Sequence, residues 1–130
     1  MAGFDHDVLE AAMREREVEL TTYGRRTGHP SRRILWVWGD GARLYVRAGG
    51  GLERDWPRNL LAHGRGVLHV AGRDVPVRAR HVTDPAEARA GAALVSRKYG
   101  VVREPSPEGG PLLPAEEATF ELTPGDGADA

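Results

Sequence analysis

The sequence of 130 residues predicts a mainly β protein with peripheral helices, arranged as a small six-stranded antiparallel barrel. Two patterns predict this class. Short segments in which apolar and polar residues alternate are separated by glycine-containing turns, which is typical of strands joined as hairpins. Helix start signals are few and do not alternate regularly with the strands, so the pattern disfavours a parallel βαβ sheet.

The first predicted strand covers about 17–22, where apolar and polar residues alternate. The next covers 31–38, and its continuously apolar end indicates a strand that is covered on both faces. The other four predicted strands cover 42–48, 65–72, 73–82 and 118–123, with turns at 39–41 and 71–73. Because Pro76 cannot donate a hydrogen bond to a sheet ladder, we expect its strand to lie at an edge or to bulge there.

Three segments carry helix signals. In the strongest, Asp84 is a capping residue, Pro85 occupies the first helical position, and Gly100 marks the end. Asp7 and Glu10 form a capping-box pattern before a shorter apolar run. The predicted helices cover about 8–16, 56–62 and 85–99.

Composition limits the possible functions. The absence of cysteine excludes disulfides and thiolate chemistry. The acidic N-terminus lacks the apolar core of a signal peptide, and no apolar run approaches the ~20 residues that cross a bilayer, so we expect a cytoplasmic protein without a membrane span. The histidines show no ligand spacing, so no metal site is expected. We expect one domain over residues 1–123 and a flexible tail over 124–130.

Charge is unevenly distributed. Residues 1–23 carry two Arg and six acidic residues, residues 24–80 carry twelve Arg and four acidic residues, and residues 81–130 carry four basic and nine acidic residues. A basic middle between acidic ends favours a local binding site for an anion. A nucleic-acid surface is less favoured, because the aromatic residues do not alternate with the arginines and the net charge is −1.

Two loops concentrate the features of an anion site. The first covers 23–31, where glycines allow a tight turn. Its polar residues, with those that begin the next strand, are Arg25, Arg26, Thr27, Arg32 and Arg33. The second covers 47–59, where consecutive glycines precede a helix start whose free N–H groups can bind an anion. Its first residues are Arg47, Ala48, Gly49, Gly50 and Gly51. A solvated turn remains the alternative for the first loop. In the second loop, Asp55 as a helix cap would occupy those N–H donors.

Two motifs follow each other in the chain, TT-x-GR-[RK]-[ST]-G at residues 21–28 and W-x-x-N-L-x-A at residues 56–62. Together with the stretches LYVRAGGG and GRGVLHVAGRDVPVRARHV, they resemble the deazaflavin-dependent nitroreductase family. That family belongs to the flavin-binding split β-barrels of the pyridoxamine phosphate oxidase type. The resemblance runs from about residue 18 to residue 100.

The resemblance implies a split β-barrel that holds the deazaflavin coenzyme F-420, or FMN in neighbouring branches, along the barrel. It implies hydride transfer to an electron-poor small molecule such as a quinone, an enone or a nitro compound, and a homodimer. The residues it implies for the cofactor are Arg25, Arg26, Thr27, Arg32, Arg33, Trp36, Arg47, Gly49, Gly50, Gly51 and Trp56. Tyr99 is the one residue that we name as a proton donor or substrate contact.

Many relatives carry Ser and Lys before the glycines of the second loop, where this chain has Arg47 and Ala48. Three hypotheses therefore stay open at this point: a deazaflavin-dependent oxidoreductase, an FMN-dependent oxidoreductase on the same barrel, and a non-catalytic protein that binds a flavin or deazaflavin.

Overall fold

Seven antiparallel strands form one curled sheet in the computed structural model of the protein, which describes residues 3–101 and 103–125. Four helices surround this sheet. In chain order the elements are α1 (His6–Arg14), β1 (Val18–Tyr23), β2 (Pro30–Leu35), β3 (Val37–Gly39), β4 (Leu44–Arg47), α2 (Asp55–His63), β5 (Arg65–Val70), β6 (Arg73–His81), α3 (Pro85–Tyr99), α4 (Pro114–Glu117) and β7 (Thr119–Pro124). The arrangement confirms the predicted mainly β class with peripheral helices and the split-barrel architecture.

The sheet closes through a corner at Trp36. Its strand order is β2-β1-β5-β6-β7-β4-β3, so the two edge strands, β2 and β3, are consecutive in the chain. Only Trp36 separates them, and the sheet must therefore curl until its two edges approach each other. The single strand predicted over 31–38 is wrong for this reason: it is two strands, and the sheet has seven strands in the described residues rather than the predicted six.

The last residues of α3 hold this corner through the backbone of Val37. The Val37 N–H donates to the Tyr99 hydroxyl at 3.2 Å, and that hydroxyl donates to the Val37 carbonyl at 3.1 Å. The Lys98 ammonium donates to the same carbonyl and to that of Ala12, each at 2.6 Å. Two adjacent side chains of α3 thus fix the start of β3, and one of them also secures α1.

The hairpin turns form where the sequence predicts them. Between β3 and β4 the carboxylate of Asp40 accepts hydrogen bonds from the Ala42 and Arg43 N–H groups at 3.1 and 2.9 Å. Between β5 and β6, Ala71 and Gly72 have φ angles of 54° and 71°, the left-handed pair of a two-residue hairpin. These turns set the register that places alternate side chains in the core.

The buried apolar residues form two clusters, one between the curled sheet and α1 and α2, and another where α3 packs against Trp38, Tyr45 and Val82. The inner face of α3 carries Ala88, Ala92, Val95 and Tyr99, which are all buried. Its predicted start is confirmed, because the Asp84 side chain accepts from the Glu87 N–H at 3.3 Å.

Three local predictions are corrected. Helix α1 begins at His6 after Asp5, with no side-chain cap, so the capping box of Asp7 and Glu10 does not form. Ile34 is 63% exposed, so β2 is not covered on both faces. Strand β6 is internal, but its pairing with β7 begins at Val77, so Pro76 needs no donor on that side.

Strand β7 continues to Pro124, and the Gly125 N–H donates to the Pro76 carbonyl at 2.8 Å. The rest of the predicted tail, 126–130, lies outside the described residues. Within residues 3–101 and 103–125, none of the helices combines the length and the apolar character that crossing a bilayer requires.

Lys98 at the corner should make the free energy of unfolding depend on pH in the alkaline range. Burial lowers the pKa of Lys98 to about 8 from its ordinary 10.5. Between these values the unfolded chain binds more protons than the folded one, so the free energy of unfolding should rise with pH, by about 1–2 kcal/mol from pH 8 to pH 10. Urea unfolding of the wild type and Lys98→Met at several pH values measures this slope. The variant should lose it, and the exposed neighbour Arg97→Met should keep it. A slope that persists in Lys98→Met would contradict this assignment.

Candidate functional site

The loop after β4 is shaped by its three glycines. Gly51 has a φ of 89°, a conformation that favours glycine, and its N–H donates to the Ala48 carbonyl at 3.0 Å. A Cβ at Gly50 would lie 2.1 Å from the Nε atom of Arg54, so the Arg54 side chain folds directly over the Gly50 backbone. A Cβ at Gly49 would meet no described atom within 4 Å. The loop therefore turns back on itself and leaves Gly49 open on its outer side.

A cationic cleft of about 290 Å³ opens beside this loop. Arg33 enters it from β2, and Arg54 enters it from the residue that precedes α2. Arg54 is the N-cap of α2 and makes no side-chain capping hydrogen bond. The first N–H groups of the helix are therefore available at the cleft, where the helix dipole also favours a negative charge. The lining residues are Arg33, Ala48, Gly49, Gly50, Arg54, Asp55 and Trp56.

The carboxylate in the cationic cleft, that of Asp55, is partly neutralised by Arg25. The Nη1 atom of Arg25 lies 3.9 Å from Asp55 Oδ1 and donates to the Oδ1 atom of Asn59 at 3.3 Å. Asn59 is buried and donates in turn to the Thr22 hydroxyl at 3.1 Å. Arg25 thus joins the first loop to α2 and reduces the charge that would oppose an anion.

An aromatic cleft of about 300 Å³ lies on the other side of Gly49. Its apolar walls come from Trp36 at the sheet corner, Trp38 on β3 and Val95 on α3. The lining residues are Trp36, Trp38, Arg47, Gly49, Ala92, Val95, Arg103, Glu104, Leu113, Ala115 and Glu116. Gly49 lines both clefts, so they adjoin along its backbone.

Trp36 is held in the wall of the aromatic cleft by Tyr99. The two rings are stacked with centroids 3.9 Å apart and planes 8° apart. Tyr99 is buried, and burial raises the pKa of its hydroxyl, whose hydrogen bonds are both made to Val37. Tyr99 therefore positions Trp36 through the ring stack. The Tyr99 hydroxyl bonds to the backbone of Val37 and does not face the cleft.

Arg47 and Glu116 are the two most enclosed charged residues of the aromatic cleft. The Nε atom of Arg47 donates to the Thr119 hydroxyl at 2.8 Å, and its Nη2 donates to the Ala88 carbonyl at 2.6 Å. Its guanidinium also lies over the ring of Trp38, 5.3 Å from the centroid. Burial lowers the pKa of Arg47, and the negative charge of Glu116 partly offsets this. Arg47 therefore presents a fixed cation at a partly desolvated wall.

Glu116 anchors the segment that forms the outer wall of this cleft. Its carboxylate accepts from the Ser106 N–H at 3.0 Å and from the Leu113 N–H at 2.7 Å. Burial raises the pKa of Glu116, but these hydrogen bonds and the charge of Arg47 outweigh burial, so the pKa is lowered overall. A charged Glu116 thus holds both ends of the loop over 106–113.

The structure separates the other residues that the sequence analysis grouped with the first loop. Arg32 and Arg33 are neighbours on β2, where successive side chains face opposite sides. Arg32 pairs with Glu19 at 2.7 Å, away from both clefts, whereas Arg33 reaches the cationic cleft. The Thr27 hydroxyl accepts from the His29 N–H at 3.1 Å within the turn. Arg26 is exposed at the tip and lines neither cleft.

Arg54, Trp38 and Glu116 are among the cleft residues that the sequence analysis did not name as site residues. Arg54 had a usable signal, since it lies between the glycines and the helix predicted over about 56–62. Trp38 and Glu116 had no usable sequence signal. Trp38 reaches the cleft because the chain turns at Trp36, and Glu116 reaches it because the loop over 106–113 brings α4 there. Within residues 3–101 and 103–125, no group of three or more potential metal ligands occurs.

Comparison with known proteins identifies a family and a fold. The model of the family described as "Uncharacterized protein conserved in bacteria (DUF2255)" matches residues 8–122. No curated protein matches the sequence significantly.

Three solved structures illustrate the fold. A candidate 5-nitroimidazole antibiotic resistance protein from Bacteroides thetaiotaomicron VPI-5482 has a TM-score of 0.64 at 10% identity, over 95% of this chain and 81% of that one. A candidate pyridoxamine 5'-phosphate oxidase from Listeria innocua has a TM-score of 0.61 at 13% identity, over 92% and 91%. An F420-H2 dependent reductase, FDR-A, has a TM-score of 0.57 at 16% identity, over 83% and 94%. At these identities the likeness establishes the shared fold, so activity must be argued from the clefts.

Replacing Glu116 tests its role in the outer wall. Glu116→Gln should lower the free energy of unfolding by about 1–3 kcal/mol, because a neutral amide offers one acceptor oxygen to two buried N–H donors. Since the pKa of Glu116 is lowered, its contribution is complete above about pH 4.5 and is lost as pH falls through the folded pKa. Urea unfolding at pH 7 and pH 4 measures both effects. The exposed neighbour Glu117→Gln should behave like the wild type, and equal losses in the two variants would contradict the role of Glu116.

Proposed function

This chain belongs to the DUF2255 family, and we propose that it is an oxidoreductase that binds a phosphate-bearing flavin-type cofactor across Gly49. The proposal includes both the deazaflavin coenzyme F-420 and FMN. One observation carries it: a cleft lined by two arginines and a cleft lined by two tryptophans adjoin along one open glycine. A molecule with an anionic end and a planar apolar end would occupy both clefts at once.

The cationic cleft suits the phosphate end of such a cofactor. Arg33 and Arg54 offer planar guanidinium donors, which bind phosphate oxygens in pairs. The uncapped start of α2 adds backbone N–H groups and a favourable dipole. Gly49 lets the backbone approach the ligand closely, and Arg25 reduces the opposing charge of Asp55.

The aromatic cleft suits a planar ring. Trp36 offers a flat apolar face whose orientation is fixed by its stack on Tyr99. The Nε1–H of Trp38 is buried and has no acceptor among the residues that the structure describes. A buried unpaired donor costs about 1–3 kcal/mol, which a hydrogen bond to a bound group or to water would recover.

A flavin or deazaflavin supplies hydride transfer to an electron-poor acceptor such as a quinone, an enone or a nitro compound. The protein residues would orient the ring and exclude water from one of its faces. Among the described residues that line the two clefts, the most buried carboxylate is that of Glu116, and both of its oxygens already accept hydrogen bonds. This occupancy, with the engaged hydroxyl of Tyr99, favours a reaction that needs no protein acid, or a protein that binds the cofactor without catalysis.

The homodimer implied by the family resemblance remains part of the proposal. The cytoplasmic location and the identity of the acceptor also remain predictions. Direct titration distinguishes F-420 from FMN.

The neighbours Arg33 and Arg32 provide a matched test. Titration of the purified protein with FMN and with F-420 should show saturable binding of at least one of them. Arg33→Met should raise the Kd roughly ten- to a hundredfold, because a charged hydrogen bond to phosphate is lost. Arg32→Met removes the same charge from the opposite face of β2 and should leave the Kd within about twofold. Binding of neither cofactor, or equal weakening in both variants, would refute the proposed site.

A further inference from the structure

Arg47 has hydrogen-bonding capacity that the described residues leave unused. Its Nε and Nη2 atoms donate to Thr119 and Ala88, whereas Nη1 has no acceptor in the part of the chain that the structure describes. The residue lines the aromatic cleft, which Glu116 also lines. The carboxylate of Glu116 accepts from Ser106 and Leu113, so it attracts Arg47 by charge without a hydrogen bond to it.

The protein holds the Arg47 guanidinium in one position. It is held at two nitrogens and lies over the ring of Trp38. Helix α3 has a glycine, Gly91, beside this guanidinium. A Cβ at Gly91 would lie 2.6 Å from Arg47 Nη2, so the glycine makes room for the arginine. A cation fixed in this way needs little reorganisation when a negative charge forms beside it, and such preorganisation gives the largest electrostatic effects in protein sites.

Arg47 and Arg103 line the aromatic cleft, while Arg33 and Arg54 line the cationic one. Each cleft therefore has its own cations, and Arg47 is not needed for the phosphate.

We propose that Arg47 binds the electronegative edge of the planar ring and stabilises the anionic, two-electron-reduced form more than the oxidised form. This inference rests on the proposed function. It makes Arg47 a residue that sets the reduction potential of the bound ring. A purely structural Arg47, which only joins β4 to β7 and α3, would support both redox forms equally.

The experiment measures the Kd of oxidised and of dithionite-reduced FMN, and the same pair for F-420, with the wild type and with three variants. The wild type should bind the reduced form at least tenfold more tightly. Arg47→Gln removes the charge but keeps a donor, and it should weaken the reduced form at least tenfold more than the oxidised form. A tenfold change in this ratio lowers the midpoint potential by about 30 mV for a two-electron couple.

Arg47→Lys and Arg43→Met separate charge from packing. The lysine variant keeps the charge, so its ratio of the two Kd values should stay near that of the wild type even if both affinities fall. Arg43→Met removes a cation just before β4, where it pairs with Glu121 outside both clefts, and it should leave the ratio unchanged. Thermal unfolding of each protein shows whether the variants fold.

The outcomes distinguish this inference from the proposed function. If the wild type binds neither cofactor, both are refuted. If it binds one but favours neither redox form, the role of Arg47 is refuted while the cofactor site stands, and this holds even if Arg47→Gln does not fold. If Arg47→Gln weakens both forms equally, Arg47 is a structural residue. A selective loss of the reduced form supports the inference.

Discussion

The hydrogen bonds between the Tyr99 hydroxyl and the backbone of Val37 hold the rest of the structure in place. They fix the point where one continuous segment leaves one edge of the sheet and begins the other. Because this segment supplies both edges, the curvature of the sheet depends on the corner. The same tyrosine ring supports Trp36, so the corner also orients the wall of the aromatic cleft. A single residue at the end of α3 thus links barrel closure to the geometry of the site.

Local sequence signals were sufficient for most elements of the fold. Helix α3 starts after Asp84 and ends at Gly100, where nearby residues satisfy the free backbone groups. Both ends can therefore be predicted from the local sequence. The same holds for the turn at Ala71 and Gly72. The break at Trp36 is not local, because it depends on two side chains that lie about sixty residues further along the chain. An uninterrupted apolar run gives no sign of such a break.

The site could be predicted only in outline. The glycine loop and the excess of arginine indicated an anion site, and the structure does place Arg33 beside Gly49 and Gly50. Which arginines share one cleft could not be predicted, because neighbours on a strand face opposite sides and the exact limits of β2 decide which side is which. Arg32 therefore pairs with Glu19 on the other face. Trp38 and Glu116 enter the site only through tertiary contacts.

The covalent continuity of the two edge strands has a mechanical consequence. A sheet that is closed by hydrogen bonds can open when those bonds break, but here the peptide chain itself spans the closure at Trp36. Moving the backbone at Trp36 outward requires the barrel to flatten or Val37 to detach from the end of α3. The position of this wall of the aromatic cleft is therefore coupled to the curvature of the whole sheet.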